Sequence, residues 1–190
     1  MTIPLETKRL IFRDWNSADL EPFHSLCADP SVMQFVGNGE QWSWERTEQF
    51  VVCACGMSQT LGFCQWPVIH KLGSAVIGFC GFVPASDGVE IGWRLAKEYW
   101  GQGLATEAAR AVLKHGFETL GFQRIIATVQ SPNRASIRVV EKLGMKAASS
   151  IHRNGRELIL FSIDIDNDRL AKPEIEDASA HSNSRTIGNS

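Results

Sequence analysis

The chain has 190 residues, 44% of them hydrophobic and 21% charged, with a net charge of −2. That is enough for one domain with a substantial core, and a near-neutral balance without a long basic run leaves no electrostatic footprint for nucleic acid. No run approaches the ~20 apolar residues of a membrane span. The opening Met1–Glu6 also lacks a basic segment followed by an apolar one, so neither anchor nor secretory leader is expected and the expected location is cytoplasmic.

Residues 8–14 alternate weakly and read as a first strand. Ser17 and Asp19 are candidate helix caps; with Asp19 as cap, Pro22 falls in the first turn, where its missing N–H costs little. Leu20, Phe23, Leu26 and Cys27 then form an apolar stripe. A second helix is expected after Ser43, with Glu45 at its positive start and Gly56 at its end. Runs 60–69 and 74–83 are apolar and β-rich around a turn at 71–74, which predicts an antiparallel hairpin. Residues 88–95 form another strand, with Val89, Ile91, Trp93 and Leu95 on one face and Glu90, Gly92 and Arg94 on the other. Apolar positions from Leu104 to Leu120 recur at helical spacing before Gly121, and Arg124–Val129 reads as a buried strand. Ser131-Pro132 is expected to open the next helix and Leu143-Gly144 to close it, followed by strands near 145–152 and 156–164. The fold class expected is α+β, a mixed α/β domain over 1–168 with one mixed sheet and helices on both faces. Residues 169–190 are polar, and the stretch from 171 lacks apolar periodicity; they read as a disordered tail.

The five cysteines, Cys27, Cys53, Cys55, Cys64 and Cys80, show no paired CxxC spacing and read as free thiols. The histidines are scattered, with His115 expected on the solvent side of its helix, so no metal site is expected.

The most informative segment is 89–109, in which a strand runs into Trp100-Gly101-Gln102-Gly103-Leu104-Ala105 at the start of a helix. Small residues there let an anion approach the backbone, and the first helical N–H groups have no internal partners. A diphosphate fits without a basic side chain. The spacing matches neither the P-loop nor the three-glycine dinucleotide fingerprint, and glycine spacing alone is equally compatible with a tight turn.

The residues around the loop decide further. Gly101-Gln102-Gly103-Leu104-Ala105 resembles the acetyl-CoA diphosphate loop of the GNAT superfamily, with Trp100 where the pattern has Gln or Arg. The longer string through Glu107-Ala108 looks like the branch of the RimJ and RimL ribosomal-protein N-terminal acetyltransferases. Asn133 to Met145 is similar to that family's Asn-x-x-Ser helix, and Glu6–Arg13 to the branch's first strand. The resemblance covers roughly residues 5–165. It implies a mostly antiparallel sheet of about seven strands. It also implies acetyl-CoA as co-substrate, with the diphosphate held by amides near Gln102, Gly103, Leu104, Ala105 and Thr106. The pantetheine arm would pair with Trp93-Arg94-Leu95 like an added strand and be contacted by Asn133.

The implied chemistry is attack of a neutral amine on a thioester, with no metal and no covalent intermediate. Many members carry a tyrosine acid seven residues after the Asn; here that position is Val140. In the RimL-like pattern the proton donor is the Ser three residues after the Asn, here Ser136, which reads equally as a cofactor contact or a helix-start hydroxyl. Glu90 is the candidate base, with an exposed or salt-bridged strand carboxylate as the alternative. Trp42 and Trp44 are candidates for an aromatic acceptor wall, or for core packing, and Glu40, Glu45 and Glu48 would attract a cationic acceptor or are simply exposed helix carboxylates. The expected partners are acetyl-CoA and an amine, either a protein N-terminus or a small molecule, with neither nucleic acid nor membrane; homodimerisation is compatible with the sequence. A non-catalytic acetyl-CoA-binding module is the alternative, kept open by Val140.

Overall fold

The computed structural model describes residues 5–86, 88–153 and 155–165, so the tail expected at 169–190 lies outside the described residues. Two short strands, β1 (Leu5–Glu6) and β2 (Leu10–Phe12), open the sheet. β2 is shorter than the expected 8–14. Arg13 forms a two-pronged ion pair with Asp19 at 2.6 Å, and Arg9 reaches a later helix. Asn16, and not Ser17, caps the turn at Ser17–Asp19: its side chain accepts from Ala18 N while the buried Asp19 carboxylate accepts from Asn16 N, a reciprocal box. Asp19 takes the expected N-cap position of the helix that starts at Leu20, without a side-chain cap bond to that helix.

Helix α1 (Leu20–Cys27) buries Phe23, Leu26 and Cys27, and a short α2 (Pro30–Met33), which the sequence reading passed over, is capped by Asp29. Helix α3 (Trp44–Leu61) starts at the expected Ser43 cap but runs past Gly56. A helical glycine costs only ~1 kcal/mol. The helix ends at Gly62, which takes the left-handed conformation at φ +77°. β3 (Gln65–His70) and β4 (Ala75–Ala85) form the expected hairpin, and β5 (Gly88–Leu95) continues the meander. Helix α4 (Leu104–Glu118), β6 (Arg124–Gln130), α5 (Arg134–Lys142), β7 (Lys146–Arg153) and β8 (Arg156–Asp164) complete the described chain. The cap of α5 is Asn133, two residues beyond the expected Ser131.

The eight strands order as β1-β2-β3-β4-β5-β6-β8-β7, antiparallel except where β5 meets β6. The two faces carry different packings. On one, Phe82 contacts Trp66 and Phe122 beneath α4, so closely that a Cβ on Gly116 would lie 2.7 Å from the Phe82 ring. On the other, Phe79 packs edge-on against Phe23 of α1 and tilted against Phe50 of α3. His115 belongs to the first packing: it is half-buried, with its ring 5.8 Å from Trp66, and burial pulls its pKa down, which corrects the expected solvent position.

Candidate functional site

The parallel contact between β5 and β6 lasts two residue pairs, Val89 with Ile125 and Glu90 with Ile126. Beyond Glu90 the strands part: β5 stays paired with β4 as far as Leu95, while β6 stays paired with β8. The second half of β5 is therefore an open edge facing a fork. Ala96 N donates to Ile77 O at 2.8 Å, which sets the phase of the β4–β5 ladder. By alternation, Glu90, Gly92 and Arg94 turn their backbone groups to β4, and Ile91, Trp93 and Leu95 turn theirs to the open edge. Of the expected triplet, Trp93 and Leu95 can thus add a strand-like ligand, and Arg94 contributes its side chain on the opposite face. The indole of Trp100 donates to Leu95 O at 2.8 Å and folds the following loop against this edge.

That loop opens α4. Gly101 and Gly103 take φ of +73° and +77°; a Cβ on Gly101 would meet open space and one on Gly103 only the Arg9 guanidinium at 3.8 Å, so backbone conformation and not crowding demands glycine there. The first helical bond is Glu107 N to Gly103 O at 3.0 Å, and Gly103 brings no side-chain cap. The amides of Leu104, Ala105 and Thr106 therefore face outward at the positive end of a 15-residue helix. Gln102 points elsewhere: its amide donates to Glu98 O, and its carbonyl accepts from Arg9.

Arg9 is a residue that the sequence reading did not single out. Its Nε donates to Glu107 Oε2 at 2.7 Å, its backbone N to Glu107 Oε1 at 3.0 Å, and its Nη1 to Gln102 O at 3.0 Å. Thr7 adds a 2.6 Å bond to the same carboxylate. One side chain from the sheet edge thus pins both the loop and the first turn of α4. Burial pushes the Glu107 carboxyl upward, but the Thr7 and Arg9 hydrogen bonds outweigh it and hold it below the usual carboxylate range.

Between the open edge, α4 and α5 lies a cavity of about 380 Å³. Trp93, Arg94, Leu95, Gly103, Leu104, Ala105, Thr106, Asn133 and Ser136 line it, as does the segment Ser31–Val36 after α1. That segment is strapped down by Gln130, which donates to Phe35 O and Gly37 O, and by Arg156, which reaches Gln34 O and Asn38 O. Among the described residues no Asp or Glu lines the cavity; Arg94, Arg138 and Lys142 do. A second, more open hollow shares Gly103, Thr106 and Lys142 and adds Arg110, Lys114 and the paired Arg9 and Glu107. Arg138 and Lys142, one helical turn apart on α5, were readable as a cationic pair beside a phosphate loop.

Asn133 Oδ1 accepts from Ser136 N at 3.1 Å and so caps α5, leaving its amide nitrogen for a ligand. The Ser136 hydroxyl is half-buried at the cavity wall, whereas Val140 is fully buried in the core and brings no proton donor. Glu90 stands at the fork itself. Its Oε1 accepts from Thr128 N at 3.2 Å and in a short bond from the Thr128 hydroxyl, so the carboxylate satisfies an amide that the parting strands expose. It is not part of the cavity wall, nor are Gln102, Trp42 and Trp44. Trp44 is 41% exposed against His24, and Trp42 packs on Phe23 and Phe50 with the Arg94 guanidinium 4.4 Å from its ring. Glu40, Glu45 and Glu48 are exposed outside the cavity.

Among the described residues no cluster of three His, Cys, Asp or Glu could hold a metal, and no helix is long and apolar enough to cross a membrane. Burial raises the Cys64 thiol to about 12, and Cys80 moves up for the same reason.

Comparison with known proteins returns the same architecture. Residues 9–146 match the family model described as acetyltransferase (GNAT) domain. The chain is 33% identical over 144 residues to the uncharacterized N-acetyltransferase YnaD of Bacillus subtilis, covering 75% of this chain and 82% of that protein. It superposes on a GNAT-family acetyltransferase from Bacillus anthracis with TM-score 0.75 at 30% identity, covering 84% of this chain and 97% of the other. A RimL ribosomal protein acetyltransferase solved in complex with coenzyme A shares the fold at TM-score 0.74 and 18% identity, covering 87% and 99%.

Proposed function

The chain belongs to the GNAT acetyltransferase family, whose members move an acetyl group from acetyl-CoA to an amine, and from that premise we propose a direct transfer in a ternary complex. The observation that carries this reading is the uncapped start of α4, opening beside a free strand edge in a cavity without acidic side chains. The α4 amides and Thr106 hold the diphosphate, the Trp93 and Leu95 backbone holds the pantetheine amides, and the Asn133 amide nitrogen contacts the same arm. Arg9, Arg110 and Lys114 line the adjoining hollow, which suits a further phosphate of the coenzyme.

When bound, acetyl-CoA supplies an acetyl thioester: the amine forms a new C–N bond, the C–S bond breaks, and the thiolate leaves with a proton. Glu90 accepts the amine proton, through water, from its place at the fork. Ser136 donates to the departing sulfur from the α5 wall. The acceptor is a protein N-terminus, as in the RimJ/RimL-like branch, or a small amine.

The test is release of CoA thiol from acetyl-CoA across a panel of amines and N-terminal peptides. Turnover with at least one acceptor is expected. Tight acetyl-CoA binding with no turnover on any acceptor would replace the enzyme with a binding module.

A further inference from the structure

We propose that Arg94 is a specificity-determining residue, selecting an acceptor amine that carries a carboxylate on the same molecule. The inference rests on the acetyl-transfer reading and deepens it. Arg94 is 8% exposed, yet no carboxylate pairs with it. Its guanidinium lies 4.4 Å from the Trp42 ring centre and 5.2 Å from that of Phe79. Nη1 donates to Cys27 Sγ at 3.2 Å, and the buried Nε has no partner. Cys27 brings no counter-charge, because burial pushes its thiol up and keeps it neutral. The other charged group acting on Arg94 is Arg46, of the same sign, 4.9 Å from the same Trp42 ring.

An arginine stays protonated in proteins, and a buried cation without an anion is costly. Aromatic faces offset part of that cost. A buried planar fork with an unpartnered Nε, on a residue that borders a cavity with no Asp or Glu among its described lining residues, is matched by a carboxylate. The strand places it suitably. On its face β5 reads Glu90, Gly92, Arg94, at successive steps of about 6.6 Å. The middle position has no side chain, and the Gln65 amide nitrogen lies 2.9 Å from where a Gly92 Cβ would sit. A proton acceptor, a polar amide reaching over from Gln65 of β3 and a cation thus follow one another across one face of the sheet. An amino-acid-like acceptor presents complementary groups, whereas a polyamine would meet Arg94 with like charge.

The experiment measures binding of N-acetylated amino acids, as product analogues, to the CoA-loaded protein, each compared with its carboxamide. Carboxylates are expected to bind at least 10-fold tighter. Arg94→Met, which keeps the stem between the two rings, should reduce that preference to below 2-fold, and Arg94→Lys should retain part of it. Circular dichroism checks that both variants fold. Equal binding of carboxylate and carboxamide by the unaltered protein overturns the proposal, whether or not the variants fold. So does a preference that survives in a folded Arg94→Met. Loss of all acetyl-CoA binding in the unaltered protein would instead sink the acetyl-transfer reading.

Discussion

The edge of β5 that faces α4 and the side-chain face of the same strand border one cleft, yet they are made of different material. Along the edge the proposed cofactor groups are backbone: outward amides of residues 104–106, the open edge at Trp93 and Leu95, and glycines at positive φ. Side chains there, Arg9 and Glu107 foremost, hold the backbone in place. On the face the proposed acceptor groups are side chains, Glu90 and Arg94, held by Thr128, Trp42 and Phe79. On this proposal a backbone cradle recognises what every acetyl-CoA presents, and a side-chain cluster is free to vary with the acceptor. Mutations should therefore separate the two regions, cofactor affinity responding at one and turnover at the other.

The largest effect is expected from Thr106→Glu. Glutamate suits the first turn of a helix, so the fold should survive. Its charge would stand among the diphosphate donors, and acetyl-CoA affinity should fall on the order of 100-fold, from like charges a few Å apart at a half-exposed site. Calorimetric titration with a circular dichroism control measures it; unchanged affinity in a folded variant would remove the cradle.

Next comes Glu90→Gln, which can still accept from Thr128 and so spares the brace across the fork. Turnover should fall roughly 100-fold, within the range of general-base catalysis. Acetyl-CoA affinity should stay within about 2-fold of the parent, since the change lies at the other end of the strand. Full turnover across the pH range would leave Glu90 as a brace alone.

Arg9→Ala should act more gently, weakening acetyl-CoA binding by roughly 3- to 10-fold, the size of one or two lost charge-assisted hydrogen bonds in a half-exposed place. The same clamp has a pH signature. Glu107 is held below its ordinary value of 4.5, so its stabilisation is fully present above that pH and is lost as pH falls through the lower folded value. A Glu107→Gln variant should lack that acid limb in a thermal-stability profile; identical profiles would show that the clamp contributes nothing.

The smallest effect concerns thiol chemistry. Cys53 is exposed while Cys27, Cys64 and Cys80 are buried, so native protein should show rapid labelling at Cys53, which peptide mapping would locate. Equal labelling of the buried three would contradict the packing described.

The order of elements and the α4 loop were legible because each rests on local signals: glycines, caps and apolar spacing. Caps that depend on a distant partner were less so. Asn16 outranks Ser17 because Asp19, held by Arg13, completes the box with it. Gly56 failed as a stop because helical packing carries on to Gly62, where the left-handed turn is adopted. At the site, alternation placed Arg94 on the face opposite Trp93, but not the aromatic pair that encloses it, since Trp42 and Phe79 are 37 residues apart. Arg9 and Glu107 are 98 residues apart, and nothing in either segment alone announces their bond.

The most direct measurement is calorimetric titration of the unaltered protein with acetyl-CoA and, separately, with NAD. Micromolar or tighter binding of acetyl-CoA with no detectable NAD binding is the result expected. Binding of NAD alone would contradict the account, because the α4 amides would then serve a dinucleotide and the open β5 edge would have no pantetheine arm to receive.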